Sequence, residues 1–344
     1  MPRNQPSNEK SHQLEAEWSV SIAEANVPLI SVDCTVAPGV CESHGDPLSP
    51  VVKLFRQGSE ISSYKGPRRA SAILAWINRV QQPVVTELDN TSLESFKDMD
   101  DTVFVAYLAT NDEASQTAFA QAAAKFADEF TFGMTVDTAA LEAEGVETPP
   151  MIRCYKRLDD GATHDLRDVT ADALAAIEKF IIEASRPVIG ELLPHNHQRF
   201  LDRAWPMVYI FAATEAERSA LRQSLKPMAR SYYESLTMVT VDPLDFPDLQ
   251  AKLGLEPGVF PSGAVHQLSK NRIFPYPKGR DITSKELQSW GLDVWQGKVK
   301  PWTPPGVTTT YDDLGGHIRA TQKVSMRNLN IPGVKIRVGG RDEL

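Results

Sequence analysis

The chain has 344 residues, 42% of them hydrophobic and 24% charged, the mix of a soluble globular protein of roughly two to four domains. A formal net charge of −9 argues against nucleic-acid binding, and no apolar run is long enough for membrane insertion. Its three cysteines, Cys34, Cys41 and Cys154, lack Cys-x-x-Cys spacing, which excludes a dithiol redox site or a zinc ribbon built from them.

In chain order, Met1–Lys10 is polar and lacks the apolar stretch of a signal peptide. Val27-Pro-Leu-Ile-Ser-Val-Asp33-Cys34-Thr35 is predicted to form a short apolar strand. Pro50 opens a hairpin, and residues 71–80 close the unit as a helix with Ile73, Leu74, Trp76 and Ile77 at helical spacing. A second unit follows: a buried strand over 103–108, a helix over 118–130 with Phe119, Ala122, Ala123 and Phe126 on one face, a strand over 130–136, a hairpin opened by Pro150, and a closing helix over 171–185. The third repeats the order, with strands over 207–211 and 236–242, helices over 215–231 and 284–296, and a hairpin over 260–266. Gln82-Pro83 and Arg186-Pro187 join the units, each Pro ending a helix.

The predicted class is therefore α/β, a mixed β-sheet flanked by helices in each of three loose copies. Pro50, Pro150 and Pro261 recur about 100 residues apart, each after a loop and before an apolar strand. A cis X-Pro bond is favoured there over a trans Pro opening an edge strand.

Few residues suggest chemistry. Cys34 and Cys41 could pair if the strand end meets the next helix; free thiols are the alternative. His195-Asn-His197 has no Cys or carboxylate cluster beside it, so a polar loop is expected rather than a metal site, and no cofactor is expected. Gly315-Gly316 and Gly339-Gly340 stand outside any strand–helix context, so they do not read as phosphate loops. Asp98-Met-Asp-Asp101 reads as a solvated cap before a strand. Residues 303–344 show no apolar periodicity and are expected to be loop or disorder. They end in Arg341-Asp342-Glu343-Leu344, similar to the receptor-read address for retention in the endoplasmic reticulum.

Several motifs together resemble the protein disulfide isomerases of fungi, over about residues 11–302. They are Val32-Asp-Cys-Thr35, Cys41-x-x-x-Gly45, Pro50-Val-Val-Lys-Leu-Phe-Arg-x-Gly58, Tyr64-x-Gly-x-Arg68, Ile189-Gly-Glu191, Tyr209-Ile-Phe-Ala212, Leu225-Lys-Pro-Met-Ala229, Val241-Asp242, Phe260-Pro261, Lys270-Asn271, Phe274-Pro275 and Gly297-Lys-Val-Lys-Pro301. The resemblance implies tandem thioredoxin-like domains: a partial catalytic-type domain over 1–82, a non-catalytic one over 83–187, a substrate-binding one over 188–302, and a tail over 303–344. The family's Trp-Cys-Gly-His-Cys motif would stand just before Lys10, and its second catalytic domain would follow Pro301; neither is in this sequence.

The resemblance also implies roles for particular residues. Cys34 and Cys41 match a structural disulfide of fungal members. Arg68 matches a mobile arginine that tunes the reactive Cys; without that Cys it is expected to be a surface residue. Ser31 stands where a buried Lys is frequent. Phe200, Leu201, Met238, Val241, Leu253, Leu255, Val259 and Phe260 are more apolar residues than one core face needs; the resemblance implies an apolar cleft for unfolded chains in this neighbourhood, and ordinary core is the alternative for each of them. Phe200, Met238, Leu255 and Phe260 are the candidate binding residues, Leu255 and Phe260 flanking the Pro261 loop.

The implied function is an isomerase-like folding helper of the endoplasmic reticulum lumen. It would bind unfolded or partly folded polypeptides with little or no thiol–disulfide exchange of its own, and it would have no catalytic residue. The alternatives are an incomplete form of a full disulfide isomerase and a redox-inert scaffold for one folded partner. Residues 1–80 are expected to fold poorly, with Ile30, Val32, Val51 and Leu54 short of partners and strand edges open.

Overall fold

The structure, a computed structural model, describes residues 6–44, 50–167, 169, 173–304, 307–311 and 318–322. The first unit comprises α1 (Pro6–Glu24), α2 (Pro38–His44), β1 (Lys53–Arg56), β2 (Ser59–Ser63) and α3 (Ala70–Gln81). The second comprises β3 (Thr86–Glu87), α4 (Leu93–Lys97), β4 (Thr102–Tyr107), α5 (Glu113–Phe126), β5 (Thr131–Thr135), α6 (Thr138–Ala143), β6 (Met151–Lys156), β7 (Ala162–Arg167) and α7 (Leu174–Ala184). The third comprises β8 (Gly190–Leu192), α8 (His197–Asp202), β9 (Met207–Phe211), α9 (Glu215–Ser231), β10 (Thr237–Val241), α10 (Leu249–Lys252), β11 (Ser262–Gln267), β12 (Arg272–Pro275) and α11 (Ser284–Trp295). β13 (Val307–Tyr311) and β14 (Ile318–Gln322) follow.

The second and third units share one topology. Their sheets run β3-β5-β4-β6-β7 and β8-β10-β9-β11-β12. In each, the first three strands are parallel and the last two antiparallel. The central strands β4 and β9 are almost wholly apolar and buried, because helices and loops cover both sheet faces. Side chains alternate along β9 and β10. Val208, Ile210 and Met238 meet Leu225, Trp290 and Val294 under α9 and α11, while Met207, Tyr209, Phe211, Val239 and Val241 meet Leu253 and Leu255 on the other face. Each large side chain buried this way contributes about 1.5–3 kcal/mol. Helix starts are fixed locally: Asp112 accepts from Ser115 N, and Thr214 and Glu217 form a reciprocal capping box before α9. The Pro149–Pro150 and Phe260–Pro261 bonds are cis. The bond before Pro50 involves Ser49, outside the described residues.

The first unit departs from expectation in two ways. Residues 28–33 form no strand, and Ile30 is 77% exposed, because no neighbouring strand pairs with this segment among the described residues. Yet the unit is not without a core. Leu14 and Trp18 of α1 pack on Ile73, Trp76 and Ile77 of α3, joined by Val27, Leu29, Val52, Leu54 and Tyr64. Ile30, Val32 and Val51 are thus exposed, whereas Leu54, expected to lack partners, packs in this core. The tail also departs: β13 and β14 pair antiparallel where loop or disorder was expected. Val307-Thr-Thr-Thr-Tyr311 is β-branched and aromatic, a strand signal that apolar periodicity does not register.

Polar contacts join the units. The Lys156–Asp159 pair is almost fully buried; Lys156 also donates to Arg186 O, and Asp159 accepts from Val188 N across the linker. Arg199 of the third unit forms a two-pronged pair with Glu129 of the second at 2.7 and 2.8 Å.

Candidate functional site

One end of the third sheet gathers the candidate residues. Phe211 pairs with Val241 on one side and with Ser262 on the other, so the loops after β9 and β10 and the loop before β11 emerge together. The cis bond to Pro261 ends the last of these loops. Phe200 and Phe260 lie on a common apolar face with Leu201, Phe246, Leu249, Leu268 and Ile273, over a buried floor of Tyr209, Phe211, Val239, Val241 and Leu255, so Leu255 belongs to the core beneath the face. Gly190 lets Phe200 reach that floor, since a Cβ there would stand 2.8 Å from its ring. Phe200 also borders a cleft of about 1230 Å³ lined by all three units, whose walls include Arg69, Glu191, Trp205 and Tyr233.

Met238 does not join this face. It is 2% exposed and packs under α9, because it alternates in β10 with Val239 and Val241, which do point to the face. Three residues that sequence reasoning passed over do join it or close it. His197, expected in a polar loop, opens α8; its ring packs edge-on against Tyr209 and Phe246, with Nε2 3.4 Å from the Tyr209 hydroxyl. Burial lowers its pKa. The spacing of His197, Phe200 and Leu201 on one helical face was the signal available. Phe246 belongs to the loop after β10. Trp302 donates its backbone N–H to Ile273 O at 2.7 Å and lays its ring on Gly254, where a Cβ would stand 2.6 Å from it.

The cysteines divide. Cys34 and Cys41 are joined, with Cα atoms 5.7 Å apart. Cys154 is buried in the second core, and burial pushes its thiol up to about 12, so it holds its proton at neutral pH. Arg68, expected at the surface, is instead three-quarters buried against the third unit: its two terminal nitrogens lie 2.6 and 3.2 Å from the Asp245 carboxylate, because two carboxylates of the loop after β10 face it. Arg341–Leu344 lie outside the described residues.

A family model described as a thioredoxin-like domain matches residues 108–291, most of both complete units, and the chain belongs to that family. Within it, the similarity is to protein disulfide isomerases. The chain is 34% identical over 285 residues to a protein disulfide-isomerase of Humicola insolens, covering 83% of this chain and 56% of that one. It is 31% identical over 284 residues to one of Aspergillus oryzae, covering 82% of this chain and 54% of that one. The chain thus spans about half the length of the curated relatives it matches. Among solved structures, the bb fragment of ERp72 is similar in fold, with a TM-score of 0.50 and 21% identity, covering 64% of this chain and all of that one.

Proposed function

We propose that this protein is a folding helper that holds unfolded or partly folded polypeptides on the third unit and performs little or no thiol–disulfide exchange with these 344 residues. The observation that carries the reading is the apolar face beside cis-Pro261, where the half-buried Phe200, Phe246 and Phe260 overlie a buried floor. Aromatic side chains on a loop rim suit clients that share apolar character and no sequence. The cysteine chemistry supports the second half: one pair is already joined, and the remaining thiol is buried and protonated. The similarity to disulfide isomerases supports residence in the endoplasmic reticulum lumen, and a disulfide suits an oxidising compartment.

The test is a fluorescence-anisotropy titration of a labelled, reduced and carboxymethylated client. Wild type should bind it saturably, and Phe260→Glu, which puts a charge on the face, should weaken binding about tenfold or more. Equal affinity of the two proteins would remove the face from the account.

A further inference from the structure

Two of the three loops at the cis-Pro261 end are occupied by the first unit. Gln13 Nε2 of α1 donates to Ala213 O, in the loop after β9, at 2.9 Å. Lys10 Nζ of the same helix lies 3.3 Å from Asp245 Oδ1, in the loop after β10. Arg68 lays its terminal nitrogens on both Asp245 oxygens and also lies 3.6 Å from Asp242. The Asp245 side chain is only 10% exposed beneath these two cations. The neighbouring Arg69 reaches Glu191 of the third unit and Asp101 of the second, so consecutive arginines before α3 hold all three units.

We propose that the first unit is a reversible cap on the cis-Pro261 end of the third, closed by an ionic clasp of Arg68 and Lys10 on Asp245. The cap deepens the proposed function and rests on the reading of that end as the client site. Closed, it holds the loop that carries Phe246, a wall of the apolar face, and it seats α1 beside Ala213. The clasp is made of charge-assisted hydrogen bonds between side chains that keep some contact with water, so it is open to salt and to competition. The Asp245 loop has its own turn, with Leu244 N donating to Asp242 Oδ1 at 2.9 Å and Asp245 N to Asp242 O at 3.1 Å. Its amides therefore exchange only once the cap has lifted and this turn has opened, so a weaker clasp speeds their exchange.

The experiment is hydrogen exchange on the full chain, followed at Leu244, Asp245 and Phe246. Asp245→Asn and the double variant Lys10→Ala/Arg68→Ala should each speed exchange about five- to thirty-fold, the effect of losing one or two kcal/mol of closure. Wild type in about 1 M salt, where the screening length falls to about 3 Å, should move the same way. Lys53→Ala, which breaks a pair with Glu60 within the first unit, should change nothing at these amides. Using one variant on each side of the contact guards against misfolding of either unit. Unchanged exchange in both clasp variants overturns the cap. Faster exchange with unchanged client affinity keeps the cap and refutes the client-site reading, so the two ideas fail separately.

Discussion

Replacing Gly254 by Ala tests whether Trp302 is seated on the third unit. Gly254 has φ +73°, a left-handed conformation that costs an L-residue roughly 1–2 kcal/mol, offset by about 0.4–1 kcal/mol from a stiffer unfolded chain. The added Cβ would also stand 2.6 Å from Cγ and Cδ2 of Trp302, so the ring must leave. If about 100 Å² of the half-buried ring is covered by this contact, its loss costs at most about 2.5 kcal/mol. The single variant should therefore lose about 2–4 kcal/mol. Trp302→Ala should lose about 2 kcal/mol, because it forfeits the contact without the strained backbone. In the double variant only the strain is added to that loss, so the two effects should be coupled by about 2 kcal/mol, the worth of the shared contact. Urea unfolding followed by tryptophan emission gives all four stabilities. Additive losses, within about 0.5 kcal/mol, would refute the packing of Trp302 on Gly254.

Two further outcomes follow from protonation. Burial lowers the His197 pKa below its ordinary 6.5, so as pH falls through about 6.5 the unfolded chain takes up the proton first and stability is lost; it is fully present above that value. Urea midpoints should fall between about pH 7.5 and 5.5, and His197→Gln should remove part of that slope; an unchanged slope would contradict the packing of His197 in the face. Burial pushes the Cys154 thiol up to about 12, so iodoacetamide should label it in denaturant and leave it unmodified in the native chain over the same interval. Comparable rates would mean that the second core opens readily.

The second and third units were legible because their signals are redundant. Met207–Phe211 is an uninterrupted apolar run, and Glu215–Ser231 starts at a Thr–Glu capping box and keeps a helical apolar stripe, so its two ends and its face agree. Which sheet face a strand residue takes depends on register, which is why Met238 falls on the opposite face from Val241 and Leu255, with which the sequence groups it. His197 was hidden by its polarity, and Trp302 by lying beyond the last helix, where its partner Gly254 is distant in sequence. Arg68 was misplaced because its role depends on loops of another unit, about 175 residues away, and local pattern carries no trace of that contact. Val27–Thr35 shows the converse: its apolar run predicts a strand, but a strand needs a neighbour to pair with.

The most direct test of binding without exchange is the refolding of a reduced, denatured, disulfide-containing client in a glutathione buffer, with aggregation and disulfide formation followed in the same samples. In excess over the client, the chain is predicted to suppress aggregation while disulfides form at the uncatalysed rate. Faster disulfide formation, or aggregation equal to that in buffer alone, would contradict the account.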